Sequence, residues 1–234
     1  MLKFLSRAAL VALGVCAWTA GAAPARVLFP TSLHLTREIS DPLSDAVMTV
    51  DEYCSGNRMV SVTGDRTVIV DYEKQEITEI DRRAGTYSVA RFAEIAGQSS
   101  NDRGKISAQG KVNVEIDRSL ALSREAVEVL IGAAYPNTAR SEHEAVLQAA
   151  GAQSEQRGMS ANEARTAYGL PVVQTFTYGD SGSEITFRST ITRVGNETVP
   201  ADALIIPPAA KRVESPAVGL RRQLRELDRP ASRK

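Results

Sequence analysis

Few side chains in this sequence are of the types that act as nucleophiles, general bases or metal ligands. Among the 234 residues there are two histidines, His34 and His143, and two cysteines, Cys16 and Cys54. Nucleophilic catalysis and zinc binding both draw on these residue types. The sequence also lacks the G-x-S-x-G, H-E-x-x-H and C-x-x-C motifs and a glycine-rich phosphate loop. These observations predict a protein that is not an enzyme and that needs no metal or cofactor.

Two groups of carboxylates offer the remaining options for chemistry. Asp71 and Asp81 are a pair with which a hydrolase could carry out acid–base catalysis, but aspartates beside strand turns serve mainly to form the turn. Glu142, His143 and Glu144 have the composition of a metal cluster, yet neighbouring residues on a helix point in different directions. The sequence therefore favours turn formation for the aspartates and a solvated helix start for the second group.

The first 22 residues have the pattern of an export signal. Lys3 and Arg7 precede an apolar run at residues 8–18, and small residues follow up to a cleavage site after Ala22. The apolar run of ~11 residues is shorter than the ~20 that span a bilayer. Lipid attachment at Cys16 is disfavoured, because the residue before it is a valine rather than a small residue. We therefore expect a periplasmic or secreted protein with no transmembrane segment after cleavage.

The composition of the remaining chain is that of a folded domain. Hydrophobic residues make up 43% and charged residues 24% of the sequence. Without Lys3 and Arg7, 26 basic residues stand against 28 acidic ones, a balance that does not favour nucleic acid or an anionic membrane as a partner. Cys54 is then the remaining cysteine, which excludes an intramolecular disulfide and indicates a small buried apolar side chain.

The sequence predicts the α+β class, with an antiparallel sheet and one helical insertion. Residues 51–92 alternate short segments rich in Val, Ile, Thr and Tyr with turn residues, and such short connections require consecutive strands to pair antiparallel. Further strands are predicted at residues 27–39, 46–54, 111–117, 172–178, 184–194 and 198–206. Helices are predicted at residues 123–134, where Ser123 is the N-cap, at 141–151 and at 160–168. The predicted interior comprises Val68, Val70, Tyr87, Val112, Val114, Ile116, Ile185 and Phe187.

These elements predict a single domain. Residues 1–22 are the signal peptide, and residues 23–210 form a β-rich domain that carries the helical insertion at residues 123–168. Residues 98–110 are polar and rich in small side chains, as in a loop. Residues 211–234 are basic and contain few apolar side chains, which predicts a flexible tail.

Two stretches resemble the signature blocks of an uncharacterised domain family of bacterial exported proteins. The first is GNRMVSVTGDRTVIVDYEKQEITEIDRRAGTYSVARFAEI at residues 56–95. The second joins YGLPVVQTFTYG at residues 168–179 to ITRVGNETVPADALIIPPAAKRV at residues 191–213. More distantly, the pattern is similar to the periplasmic lipoprotein-carrier fold of the LolA and LolB type. That resemblance implies an open half-barrel formed by a curved antiparallel sheet, with helices lying over its concave face as a lid.

An open half-barrel with an apolar cover predicts a binding site for an apolar molecule. Side chains alone fill the inside of a small closed barrel, whereas an open one needs a cover. We expect a lipid or acyl chain to lie between the floor and the lid. The floor is Val112, Val114 and Ile116, and the lid contributes Val129, Leu130 and Val146.

Two other functions remain open at this point. The chain could be a structural or protein-interaction module of the envelope, with an envelope protein as its partner and no small ligand. It could also be a hydrolase that uses two carboxylates. A large apolar pocket between sheet and helices would favour the binding protein, a solidly packed interface there would favour the interaction module, and a pocket with two close carboxylates would favour the hydrolase.

We expect the mature protein to begin near Ala23 when it is exported by a bacterial host, because the small residues before Ala23 suit a signal peptidase. Intact mass spectrometry of the exported protein measures this directly. A mass that still includes Trp18, or that adds a diacylglycerol to Cys16, would contradict the prediction.

Overall fold

The computed structural model describes residues 27–40, 46–95, 111–134, 140–151, 168–179 and 184–219. Several predicted features lie outside these residues: the signal peptide with Cys16, the loop at 98–110, all but the last residue of the helix at 160–168, and the end of the tail at 220–234. Within the described residues, no helix has the length and apolar character needed to cross a membrane.

Ten strands form one curved, unclosed sheet in the order β10-β6-β5-β4-β3-β2-β1-β9-β8-β7. The strands are β1 (Phe29–Ser40), β2 (Val47–Gly56), β3 (Arg58–Thr63), β4 (Arg66–Asp71), β5 (Glu76–Asp81), β6 (Thr86–Arg91), β7 (Lys111–Leu122), β8 (Tyr168–Tyr178), β9 (Ile185–Gly195) and β10 (Lys211–Arg212). The helices are α1 (Phe92–Ile95), α2 (Arg124–Ala134) and α3 (Arg140–Gly151), with a 3-10 helix at Ala201–Leu204. All neighbouring strands are antiparallel except β10 and β6, which are parallel. The α+β class and the open, mostly antiparallel sheet are confirmed.

The predicted meander is present as β2 to β6, and its turns use the expected residues. Gly64 and Gly85 have φ angles of 55° and 62°, a region that residues with a Cβ rarely adopt. Asp71 accepts a hydrogen bond of 2.9 Å from the backbone N–H of Lys74, and Asp81 accepts one of 2.7 Å from that of Ala84. Both aspartates therefore stabilise turns, as the sequence indicates.

The first strand joins two separate meanders into one sheet. β1 pairs with β2 on one side and with β9 on the other, and β9 continues through β8 to β7. Both edges of β9 are thus occupied. The prediction of a strand at residues 198–206 is wrong, because β9 has no free edge with which such a strand could form a hairpin. That segment instead contains the 3-10 helix Ala201–Leu204.

The two faces of the sheet carry different layers. We call the face that bears Leu35 and Cys54 the helix face, because α2 packs on it together with α3. Residues 196–210, which we call the strap, follow β9 and contact the opposite face, where the 3-10 helix lies against β4. Arg82 fixes the strap there by donating a hydrogen bond to the Asp202 carbonyl oxygen.

The apolar side chains of the helix face form two clusters. The larger one contains Val68, Val70 and the α2 residues Ala126, Val129 and Leu130. The smaller one contains Val127 and Ile131 of α2, Val146, Leu147 and Ala150 of α3, and Phe176 of β8. α2 therefore contributes to both clusters, whereas the buried apolar side chains of α3 belong to the smaller one.

The predicted interior is correct in part. Val68 and Val70 are buried, and Tyr87, Val112, Val114, Ile116 and Phe187 are half-buried. Ile185 is 42% exposed, so its assignment to the interior is wrong. It is the first residue of β9, at the end of that strand, and it is not among the side chains that pack against either cluster.

The folded domain extends past residue 210, where the composition placed its boundary. β10 pairs with β6, and Val213 donates a hydrogen bond of 2.8 Å to the Tyr87 carbonyl oxygen. Ser215 and Ala217 are then buried, and Ala217 belongs to the larger apolar cluster of the helix face. The chain therefore passes around the β6 edge from the strap side to the helix side.

A bulge in β8 brings its backbone close to β7. Ile116 pairs with Pro171 and Glu115 with Val173, so that one extra residue of β8 stands between them. Pro171 occupies this irregular position, where its lack of an N–H is tolerated. A Cβ on Gly169 would clash with the Ile116 side chain and lie 2.9 Å from the Asp117 carbonyl oxygen.

We expect Gly169→Ala to lower the free energy of unfolding by about 1–3 kcal/mol, because the added methyl group overpacks the contact between β8 and β7. Urea denaturation followed by circular dichroism measures the change. Gly219→Ala is the matched control, since its Cβ would meet only the end of the Glu214 side chain at 3.4 Å. Equal stability of the two variants would contradict the predicted close approach.

Candidate functional site

Four of the six predicted ligand-binding residues lie together in the structure. Val112, Val114 and Ile116 point from β7 to the helix face, where they are half-buried and pack against the smaller cluster. Val146 of α3 belongs to the same cluster. The other two predicted residues, Val129 and Leu130, pack in the larger cluster instead. The smaller cluster, between α2 and α3 on one side and β7 and β8 on the other, is therefore the candidate site, and we call it the helix–sheet layer.

The helix–sheet layer is filled by the protein's own side chains. Val127, Ile131 and Val146 have no exposed surface, and Phe176 is 1% exposed. These four side chains fill the centre of the layer. On the sheet side the layer is less closed, because Val112, Val114 and Ile116 on the outermost strand remain half-buried.

A row of buried polar side chains crosses the helix face beside this layer. The Arg37 guanidinium donates through Nε to both Glu52 carboxylate oxygens at 3.1 Å, and through Nη2 to Glu52 Oε2 at 2.9 Å. Its Nη1 donates to Ser189 Oγ at 3.0 Å, and Nη2 lies 3.5 Å from the Leu130 carbonyl oxygen of α2. The Arg37 and Glu52 side chains are 1% and 2% exposed. This ion pair therefore connects three strands and the helix above them without contact with water.

Gln174 ends this row on β8. It stands directly opposite Val114 of β7 and Ser189 of β9, so all three side chains share the helix face. Gln174 is 1% exposed, and among the described residues neither Nε2 nor Oε1 has a hydrogen-bond partner. A buried primary amide normally forms such bonds, because losing its bonds to water is costly.

Glu79 is a second buried polar group of the helix face. Burial raises its pKa, although Arg66 and a hydrogen bond with Ser215 act in the opposite direction. Its Oε1 atom lacks a partner within the described chain. The residue lies on β5 under the segment that follows β10, far along the sheet from β7 and β8.

The strap covers a cleft on the opposite face. The cleft has a volume of about 360 Å³. Its lining includes Tyr53 and Val60 from the sheet and Val199 and Leu204 from the strap. An ion pair of 2.9 Å between Arg58 and Asp71 forms part of its wall.

A histidine held between two carboxylates closes the strap onto the sheet. His34 Nδ1 lies 3.1 Å from Glu197 Oε2, and His34 Nε2 lies 3.2 Å from Asp51 Oδ1. The ring is 5% exposed and stacks on Tyr53, with 4.2 Å between ring centroids. A hydrogen bond from its own backbone N–H and the contact with His34 lower the pKa of Glu197, and burial followed by the two carboxylates raises the pKa of Tyr53. The arrangement clamps the strap in place.

The clamp does not have the geometry of a catalytic or metal site. Both ring nitrogens of His34 are engaged, and the two carboxylates lie on opposite sides of the ring, so they cannot converge on one ion. The hydroxyls of Ser32 and Ser55 contact each other at 3.1 Å. Among the described residues, no group of three or more His, Cys, Asp or Glu side chains could hold a metal ion.

Asp71 and Asp81 are too far apart to act as a pair, and Cys54 is buried. Asp71 pairs opposite Glu76 and Asp81 opposite Arg66, which places the two aspartates at opposite ends of β4 and β5, roughly 16 Å apart. Cys54 is 1% exposed, and burial raises the pKa of its thiol well above the usual range. It lies in the larger apolar cluster, in agreement with the role of a small apolar side chain.

The side chains of Glu142, His143 and Glu144 at the start of α3 do not converge on one point. Glu142 is 4% exposed and accepts a hydrogen bond from Ser141, whereas Glu144 is exposed and lies 3.7 Å from Arg124. His143 between them is half-buried, and burial lowers its pKa. The three side chains therefore point to different surroundings.

Sequence reasoning missed the polar residues of both faces. Arg37 continues the alternation of Leu33 and Leu35 along β1, and this pattern indicates that it lies on the buried face. Gln174 likewise lies two residues from Val172 and from Phe176 in the alternation of β8. The clamp gave no local signal, because His34 and Glu197 are 163 positions apart.

Comparison with known proteins does not assign the chain to a family. No protein-family model and no curated protein matches it. A crystal structure of an uncharacterised conserved protein from Thermus thermophilus aligns with a TM-score of 0.37 and 10% sequence identity, covering 80% of this chain and 91% of that one.

We expect Arg37→Met to lower the free energy of unfolding by about 3–5 kcal/mol, because it leaves the Glu52 carboxylate buried without a partner. The double variant Arg37→Met with Glu52→Leu should recover most of the loss, since it removes both charges. Urea denaturation measures the three proteins.

Arg124→Met is the control for this pair. Arg124 and Glu128 form an ion pair at the surface, with side chains 48% and 32% exposed, so its loss should cost less than about 0.5 kcal/mol. A double variant of the buried pair that is no more stable than Arg37→Met would show that the charges do not act as a pair.

Proposed function

We propose that the protein is a non-enzymatic binding protein of the bacterial envelope that holds an apolar ligand, a lipid or acyl chain, in the helix–sheet layer. The observation that carries this proposal is the separation of that layer from the main core. Its fully buried apolar side chains come from α2, α3 and β8, and the apolar side chains of the end strand β7 pack against them. Helices α2 and α3 then act as the cover and β7 and β8 as the floor.

The division of contacts between the two helices favours α3 as the part that moves. α2 is anchored in both clusters, and its Leu130 carbonyl oxygen lies 3.5 Å from Arg37. The buried apolar side chains of α3 are Val146, Leu147 and Ala150, all in the smaller cluster. Lifting α3 therefore leaves the main core intact.

The free energy needed to displace α3 sets a minimum chain length for the ligand. Exposing the buried valine, leucine and alanine of α3 costs roughly 5 kcal/mol, and each buried methylene group of a ligand returns about 0.8 kcal/mol. About six methylenes are needed to balance the displacement. The proposal therefore requires a chain of medium or greater length, and shorter apolar molecules should not bind.

The proposal calls for no catalytic residue, and two side chains of types suited to catalysis have structural roles among the described residues. The ring nitrogens of His34 are both engaged, and Cys54 is buried with a raised pKa. The export signal read from the first 22 residues supports an envelope location, where lipids must cross an aqueous space.

We expect Val114→Glu to abolish uptake of a fluorescent acyl probe, because it places a charge on the floor of the layer opposite Gln174. The far-ultraviolet circular dichroism spectrum should stay unchanged, since Val114 is half-buried on an outer strand. Fluorescence titration of the mature protein gives the measurement.

Asn113→Glu is the matched control, because Asn113 is the preceding residue of β7 and is exposed. It should leave uptake unchanged. If Asn113→Glu and Val114→Glu reduce uptake equally, the probe binds elsewhere. Native mass spectrometry of protein purified from the periplasm then shows whether a lipid is carried in the cell.

A structural or protein-interaction module of the envelope is the second candidate. The complete burial of Val127, Ile131 and Val146 favours it, because a helix–sheet layer without empty space needs no ligand. The strap also exposes apolar surface, with Ile205 58% and Ile206 37% exposed. Under this alternative the wild-type protein takes up no probe, and the amide protons of α3 exchange as slowly as those of α2.

A further inference from the structure

The unpartnered amide of Gln174 lies at the inner end of the helix–sheet layer. It is directly opposite Val114, and next to it along the strand face is Phe176, a member of the smaller apolar cluster. At 1% exposure the side chain has lost its contacts with bulk water. In the described part of the chain, its donor and its acceptor both lack a partner. An apolar layer with one such amide can bind a polar group as well as an apolar chain.

The buried cation of the row that ends at Gln174 is already paired. Arg37 is the cation of the buried row, and both sides of its guanidinium fork are bonded, to Glu52 and to Ser189. An anionic ligand could therefore not use Arg37 as its counter-ion without breaking these bonds. It would also bring a negative oxygen toward Oε1 of the amide.

On the basis of the proposed function, we propose that Gln174 binds the polar head of the ligand and that this head is uncharged. An amide offers one acceptor oxygen and an NH₂ donor, and a hydroxyl group can use both at once. An ester or amide carbonyl oxygen can use the donor. A free carboxylate can use only the donor and would bury an unpaired charge. The ligand class is thus a fatty alcohol, a monoacylglycerol or another neutral acyl compound, rather than an ionised fatty acid.

Three ligands with the same chain length test the proposal: dodecane, dodecanol, and laurate at pH 8. Their affinities for the mature protein are measured by displacement of the fluorescent acyl probe. For the wild-type protein we expect dodecanol to bind about fivefold more tightly than dodecane, the ratio that one net hydrogen bond provides, and laurate to bind more weakly than dodecanol.

Gln174→Met removes the hydrogen-bonding atoms while keeping the length of the side chain. It should bind dodecanol and dodecane with equal affinity and leave the affinity for dodecane unchanged or higher. Its resistance to urea should be equal to that of the wild type or greater, because it buries no unpaired amide. Gln174→Leu is the second variant and should behave in the same way if the methionine variant does not fold.

The outcomes separate this inference from the proposed function. Tighter binding of laurate than of dodecanol overturns the uncharged head, and so does an equal loss of all three ligands in Gln174→Met. Binding of dodecane without any preference for dodecanol overturns the role of Gln174 and leaves the apolar carrier in place. If no ligand and no probe binds the wild-type protein, the proposed function and this inference both fail.

Discussion

The pairing of β1 on both of its sides is the constraint on which the rest of the structure depends. β2 to β6 and β7 to β9 are two antiparallel meanders, and they become one sheet because β1 bonds to β2 and to β9. The buried Arg37 belongs to β1 and reaches Glu52 of β2 and Ser189 of β9, so its side-chain bonds follow the same three strands. An unpaired charge at that point is costly, which favours the one register that satisfies it.

This central pairing also sets the different attachment of the two larger helices. α2 lies over the junction, where its Leu130 carbonyl oxygen is within 3.5 Å of Arg37, and its side chains enter both apolar clusters. α3 lies nearer the end of the sheet, against β7 and β8. Local stability within a fold follows the number and depth of such contacts. Of the two larger helices, α3 therefore has the fewer contacts with the larger apolar cluster.

The two faces of the sheet have different chemistry as a result. The helix face is mainly apolar, with buried polar side chains in the row that ends at Gln174 and at Glu79, whereas the strap covers a cleft that contains the Arg58–Asp71 ion pair. His34 holds the strap because it contacts Glu197 of the strap and Asp51 of β2. The strap in turn leads the chain to the β6 edge, where β10 forms. Both ends of this connection are fixed by contacts between residues far apart in sequence.

The sequence by itself determined the local elements, because alternation, turn residues and helix caps act over a few residues. The meander of residues 51–92 and the Ser123 cap of α2, whose hydroxyl accepts from Ala126, were predictable for this reason. So was the apolar face of β7 that provides half of the candidate site. Only the tertiary structure decided that β9 has no free edge, which turned residues 198–206 into part of the strap. It also decided the partners of Arg37, since β1 and β9 are distant in sequence and become neighbours only in the folded sheet. The isolation of Gln174 depends on β7 and the two helices, which surround β8 only in the tertiary structure.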